Sequence, residues 1–415
     1  MPVLLIVAVT DYICLHCIAL HCFRTRMISR IYQKFQRITT SQIYFPEIDG
    51  IRFLAIMLVI VFHAHGYFMQ KSAVAFADNP ASYTWLNTFL ENGDRGVELF
   101  FVLSGFILCL PFAHHYINHG KRVELKKYYL RRVTRLEPPY IIAVTSIFLL
   151  QLAMHVRPVA ELLPSWGASL VYMHGIIYHH TPLLTVVAWS LEIEIQFYVL
   201  APLFFRLLAL PAVLRRVLLS VMICALVVSQ HLAPPSFLNI YGFGQYFLAG
   251  ILLADVYVSD AAARLLAGKW VPALAAILLL VVVYLPIKDP LVPVSVGSKL
   301  FLPFLIALLY YAILKNGALK RMFSYKLIPI IGGMCYSIYL LHYTIISIIG
   351  RVTIQWRITD YYIVNLFLQI LLLLIPILLI SGAFYLYVER PFMSKKWMDK
   401  LLGVNKKNEP ANIQS

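Results

Sequence analysis

An all-α fold, a polytopic transmembrane helical bundle of about ten spans, is what the sequence predicts, and three observations carry it. Of 415 residues, 61% are hydrophobic and 13% charged, and the mean hydropathy of +0.78 exceeds what a soluble core needs. Apolar runs of about 20 residues, long enough as helix to cross about 30 Å of hydrocarbon, fall at 51–69, 96–115, 138–156, 189–205, 217–232, 238–257, 270–286, 300–314, 328–350 and 362–388. Lys and Arg then sort by loop. With the chain before Arg52 inside, 27 of the 35 lie on inside segments, seven on outside segments, and Arg52 at the boundary. That asymmetry places both ends of the ten-helix bundle in the cytoplasm. The formal charge of +16 is therefore topological. Its partners are membrane lipids with anionic headgroups and a phosphorylated ligand, not nucleic acid.

Residues 1–42 form an N-terminal extension. Its apolar run 2–22 lacks a basic leader and a small-residue cleavage site, so it reads either as an eleventh helix or as sequence before a start at Met27, where MISRIYQKFQR is a basic amphipathic lead-in. CLHC at 14–17 lacks the second ligand pair of a zinc site, and the six cysteines, mostly in apolar surroundings, imply no disulfide framework. The bundle occupies 43–392, and 393–415 is a polar cytoplasmic tail expected to be disordered.

The first span, PEIDGIRFLAIMLVIVFHAHG at 46–66, places His63 eleven residues beyond Arg52. That is about 16 Å along a helix and close to three turns, so both side chains face nearly the same way. An ionisable group inside a membrane is costly and points to function. The structural alternative is an arginine at headgroups and a histidine satisfied by a neighbouring helix. In the second span Glu98 enters apolar sequence ahead of Ser104-Gly105, a pair that permits close helix approach. Glu98 either serves a cavity or caps the helix from the interface.

The next inside segment, KKYYLRRVTRLEPPY at 126–140, is expected as a basic loop before a proline-marked helix start. Arg132 and Arg135, three residues apart, can converge on one anionic group. The competing reading is a positive-inside anchor. The outer segment 157–188 carries His174, His179 and His180 without carboxylate or cysteine partners, more in keeping with loop polarity than with zinc. It runs into AWSLEIEIQFYVLAPL, where Glu192 and Glu194 stand beside Trp189 and Tyr198. Residues 206–327 supply walls. GGMCYSIYLLHYTII at 332–346 then places His342 with Tyr336 and Tyr339, lining a cavity or packed in the core.

Together these features fit a donor whose phosphates sit at Arg132 and Arg135 while a thin arm reaches His63, the shape of a coenzyme A thioester. His63 would act as general base for an attacking hydroxyl or carry the acyl group transiently.

In order, and over roughly 46–392, the chain resembles the membrane-bound acyltransferase family 3, the O-antigen and exopolysaccharide O-acetylase type. The matching stretches are DGIRFLA with His63 after it, GVELFFVLSGF (96–106), RRVTRLEPPY (131–140), WSLEIEIQFY (189–198) and YSIYLLHYT (336–344). The resemblance implies a bacterial inner-membrane enzyme moving an acyl group from cytoplasmic acyl-CoA, expected to be acetyl-CoA, to a carbohydrate hydroxyl on the far side, with no metal. His63 and Glu194 are then the catalytic pair, and Arg52, Arg132 and Arg135 hold the donor. Glu98, Trp189, Tyr198 and His342 are the expected substrate contacts. Three departures fall on the acceptor side: Ile195 replaces a second glutamate, so Glu194 rather than Glu192 carries the motif; Glu98 replaces an aspartate; and LLHYT replaces LWHWP. Some members continue into a soluble hydrolase-like domain that does not follow here, so a second transfer step is expected to use a separate partner. A transporter or lipid-linked saccharide flippase is the competing function, but it calls for paired broken helices in two corresponding halves, and no internal repeat is seen. A structural membrane subunit explains neither His63 nor the arginine pair.

Overall fold

The computed structural model describes residues 34–38, 44–71, 76–260, 266–286, 293–394 and 397. The apolar run 2–22, Met27, CLHC and nearly all of the tail lie outside them. Among the described residues every regular element is helical. The order is α1 (Pro46–Lys71), α2 (Thr84–Glu91), α3 (Arg95–Asn118), α4 (Leu125–Ala153), α5 (Val159–Leu170), α6 (His174–Tyr178), α7 (Trp189–Phe205) and α8 (Ala212–Leu232). There follow α9 (Ile240–Val258), α10 (Val271–Tyr284), α11 (Pro293–Lys315), α12 (Gly317–Phe323), α13 (Leu327–Gly333), α14 (Cys335–Thr353) and α15 (Tyr362–Phe384), the last running into a π-helical turn, Tyr385–Glu389. The protein is an all-α polytopic membrane protein. Among the described residues, eight helices are long and apolar enough to cross a membrane: α1, α3 with its short lead-in, α4, α8, α9, α11, α14 and α15. The other two expected spans are shorter, α7 with 17 residues and α10 with 14.

α1 is the central post, packed against α3, α13, α14 and α15. Glycines permit this. A methyl group added at Gly93 would overlap Leu58 O, and one at Gly96 would overlap Ala55 O, so the start of α3 lies directly on the middle of α1. The same device repeats one layer out, where Gly105 meets Phe247 O and Gly250 meets Val102 O, joining α3 to α9.

Two expectations about element boundaries are corrected. The basic segment 126–137 is not a loop: α4 begins at Leu125 and continues through Pro138 and Pro139. Two prolines remove two backbone bonds, and the helix persists because its neighbours hold the flanking turns. Tyr336 donates to Leu136 O at 2.9 Å, Tyr140 donates to Ser169 O at 2.9 Å, and Thr134 Oγ1 returns to Leu130 O. The span expected at 328–350 is broken at Met334 into α13 and α14. Glycine is the cause, since Gly332 passes so close to Asp49 O that any side chain would overlap it.

Candidate active site

α1 and α14 run parallel, and with the N-terminal halves of α3 and α7 they bound a cavity of about 990 Å³, its open mouth included. Four guanidinium side chains line its lower part: Arg37, Arg52, Arg132 and Arg135. Asp49 takes up two of them, accepting from Arg37 at 3.2 Å and from Arg52, with Tyr44 donating to its other oxygen at 2.9 Å. Arg132 and Arg135 differ. Among the described residues neither has an ion-pair partner, and the Nε of each is buried without a hydrogen bond. Arg132 instead lies over the rings of Tyr128 and Tyr198, 5.7 and 5.9 Å from their centroids. A buried guanidinium nitrogen without an acceptor is costly. An anionic ligand entering this basin would supply what the protein withholds.

Above the arginines stand the carboxylate and hydroxyl groups. Ser104 donates to Glu194, and Tyr198 and Cys335 line the same cavity. Glu389, at the end of the π-helical turn, closes the floor and accepts from Ser337 N at 3.1 Å and Ser337 Oγ at 2.5 Å. The roof is a hydroxyl pair, Ser190 Oγ and Tyr339 Oη, 2.5 Å apart, each also within reach of Val187 O. One helical turn above Tyr339, His342 Nε2 meets His63 Nδ1 at 3.3 Å. His63 is held among Phe62, His342 and Tyr343, with ring centroids 4.9, 5.0 and 5.3 Å away. Arginines, carboxylate, hydroxyls and imidazoles thus form one column, rising about 16 Å along α1 from Arg52 to His63.

A family model described as an acyltransferase domain matches residues 45–386, most of the chain and all of this column except Arg37 and Glu389. The chain belongs to that acyltransferase family. Among curated relatives, O-acetyltransferase OatA of Staphylococcus aureus (strain NCTC 8325 / PS 47) is 24% identical over 380 residues, covering 85% of this chain and 58% of the relative. Peptidoglycan O-acetyltransferase OatA of Listeria monocytogenes serovar 1/2a (strain EGD-e) is 24% identical over 396 residues, covering 89% and 59%. The acyltransferase chain therefore spans less than two thirds of the length of these relatives. No solved structure matches it.

Of the expected site residues, the acyltransferase fold brings Arg52, Arg132, Arg135, Glu194 and Tyr198 to one cavity and sets the His63–His342 pair over its roof. Trp189 does not join them. It lines a second cavity of about 720 Å³ with His179, His180, Phe237 and Phe243. Its ring lies against Phe101, a wall of the first cavity. Glu98 lines neither cavity: Arg95 at 3.4 Å and Tyr246 at 3.2 Å engage it inside the bundle. Glu192 is also structural in setting, accepting from Gly175 N at 2.8 Å. Among the described residues no three potential ligands converge on a metal position.

Sequence reasoning passed over Arg37, Glu389, Ser104 and Ser190 as site residues, while Tyr336 and Tyr339, read as lining a cavity or packed in the core, do line it. Arg37 lies before α1 among other basic residues, and Glu389 opens the ERPF stretch that reads as a juxtamembrane stop. A carboxylate that ends a 31-residue apolar stretch was the available signal for Glu389.

Proposed function

We propose that this protein is an integral membrane O-acyltransferase that moves an acyl group, expected to be acetyl, from cytoplasmic acyl-CoA to a hydroxyl of a cell-surface or exported carbohydrate, in a bacterial inner membrane with both ends of the bundle cytoplasmic. One observation carries the reading: two half-buried arginines, each with a buried Nε that has no acceptor, stand at the foot of a column whose top is an imidazole pair. Arg132 and Arg135 would take the donor's phosphates, and Arg52 and Arg37, already half neutralised by Asp49, would extend the basin. The thioester arm would rise past Glu194 and the Ser190–Tyr339 pair toward His63. There the acceptor hydroxyl would lose its proton to His63 as it attacks the thioester carbon. Glu194 would polarise or hold the arm through its Ser104 and Tyr198 neighbours. The relatives' names, O-acetyltransferase and peptidoglycan O-acetyltransferase, support acetyl as the group and a glycan as the acceptor. The Trp189 cavity offers aromatic faces and imidazoles of the kind a sugar ring stacks on and hydrogen-bonds to.

A transporter reading is less favoured. α13 and α14 form a broken helix, but among the described residues α1 and α3 both run unbroken and offer it no counterpart.

The test is mass spectrometry of the surface glycan from a knockout strain complemented with wild type or with His63→Ala. The expected outcome is full loss of O-acyl groups in the variant, with protein level and membrane insertion unchanged. Wild-type acylation in the His63→Ala strain would reject the assignment.

A further inference from the structure

The two histidines at the head of the column are chained in one direction, and the direction follows from their partners. His342 is fully buried, and its Nδ1 lies 3.0 Å from Ile338 O and 2.9 Å from Tyr339 O. Carbonyl oxygens only accept, so Nδ1 of His342 must carry the proton, and in a neutral ring Nε2 is left with a lone pair. The group facing that lone pair is His63 Nδ1 at 3.3 Å. His63 Nδ1 also faces Val59 O at 2.9 Å, one turn back on α1. Both neighbours accept, so this nitrogen must carry its proton too. The bonds through His342 then point one way, from His63 to His342 to the backbone of α14, while the His63 N–H is shared with Val59 O on α1. The consequence falls on the far nitrogen of His63: Nε2 holds the free lone pair.

We propose that His342 is a positioning residue for His63, accepting from His63 Nδ1–H so that Nε2 is the proton-accepting atom and the imidazolium formed there stays in place. The proposal rests on the acyltransferase reading above and changes the role expected for His342, from contacting substrate to acting through His63. In the step it serves, the acceptor O–H proton passes to His63 Nε2, the oxygen forms its bond to the thioester carbon, the C–S bond breaks, and the departing thiolate takes the proton from Nε2–H. His63 ends neutral, as it began. While it is charged, its Nδ1–H shares the positive charge with the lone pair of His342, as the carboxylate does in a Ser-His-Asp triad, though with a neutral partner. α14 makes that partner rigid, because two carbonyls hold the His342 ring from behind.

Two experiments test this. In native membranes, which carry the acceptor, CoA release from acetyl-CoA is followed for wild type, His63→Ala, His342→Phe and His342→Gln. His342→Phe removes the acceptor atom and is expected to lower kcat about 10²-fold or more, with KM for acetyl-CoA within about threefold. His342→Gln can place its amide oxygen near the lost lone pair and is expected to recover kcat to within about tenfold of wild type. A His342→Phe enzyme with wild-type kcat, or a His342→Gln enzyme no better than His342→Phe, overturns the positioning role. Wild-type turnover in His63→Ala overturns instead the general-base reading beneath it. Where a His342 variant does not fold, the second experiment decides. In ¹⁵N-histidine-labelled wild type, the His63 resonances, identified by their loss in His63→Ala, are expected to show a protonated Nδ1 and a bare Nε2. A proton on Nε2 overturns the proposal without reference to activity.

Discussion

Two clusters of arginine sit inside this bundle, and they differ in what is left unspent. Between α8 and α9, Arg215 and Arg216 close on the two oxygens of Asp255, which is 0% exposed, at 2.5 Å each. Arg215 Nη1 donates to Leu208 O and Leu210 O, and Arg216 Nη2 donates to Ser259 Oγ. In the basin below the imidazole pair, Asp49 satisfies Arg37 and Arg52, but among the described residues Arg132 and Arg135 have no carboxylate partner and each keeps a buried Nε without an acceptor. Both clusters are costly to bury. Only one retains capacity for an outside anion, so buried charge alone does not mark a site, whereas unfilled donors facing a cavity do.

Breaking the closed cluster should hurt folding, while breaking the open one should hurt function. Asp255→Ala leaves Arg215 buried and uncompensated and is expected to cost about 3–5 kcal/mol of stability, read as a lower unfolding temperature in detergent. An unchanged temperature would make the two clusters equivalent and end the contrast. Arg132→Ala is expected to raise KM for acetyl-CoA about ten- to a hundredfold, the worth of a charged hydrogen bond of about 1.5–3 kcal/mol. Its unfolding temperature should hold or rise, because an unpaired buried nitrogen is removed. Tyr198→Leu removes one of two rings beneath Arg132 and sharpens the contrast least, with KM rising about two- to fivefold, in line with a cation–π contact of about 0.5–1 kcal/mol.

The spans were legible because a lipid-crossing helix must be apolar over its length, and Arg132 with Arg135 was legible because a spacing of three puts two side chains on one helical face. The start of α4 was misplaced for a local reason: Pro138-Pro139 predicts a helix boundary, and only Tyr140 and Tyr336, bonding to distant carbonyls, override it. The break at Met334 needed the approach of Gly332 to Asp49, a contact nearly 300 residues apart in sequence. Arg37, Ser190 and Glu389 were illegible as site residues because nothing local distinguishes them, and their meaning comes from which helices meet. His342 was visible as an intramembrane histidine, but its partner 279 residues earlier was not.

The seating of α3 on α1 has one more consequence. Gly93 rests against Leu58 and Phe62, whereas α1 runs on to Lys71, nine residues and about 13 Å farther. α10 stops at the same level: Asn92 and Arg95 cap its last carbonyls, donating to Val283 O at 2.9 Å and Leu285 O at 3.2 Å. Two adjacent helix ends thus fall at one level, and α2 lies beyond them, its Trp85 O accepting from Tyr284 at 2.9 Å. On the function proposed above, an acceptor reaching His63 from that end and a donor rising from the arginine basin would meet without one half of the bundle swinging past the other.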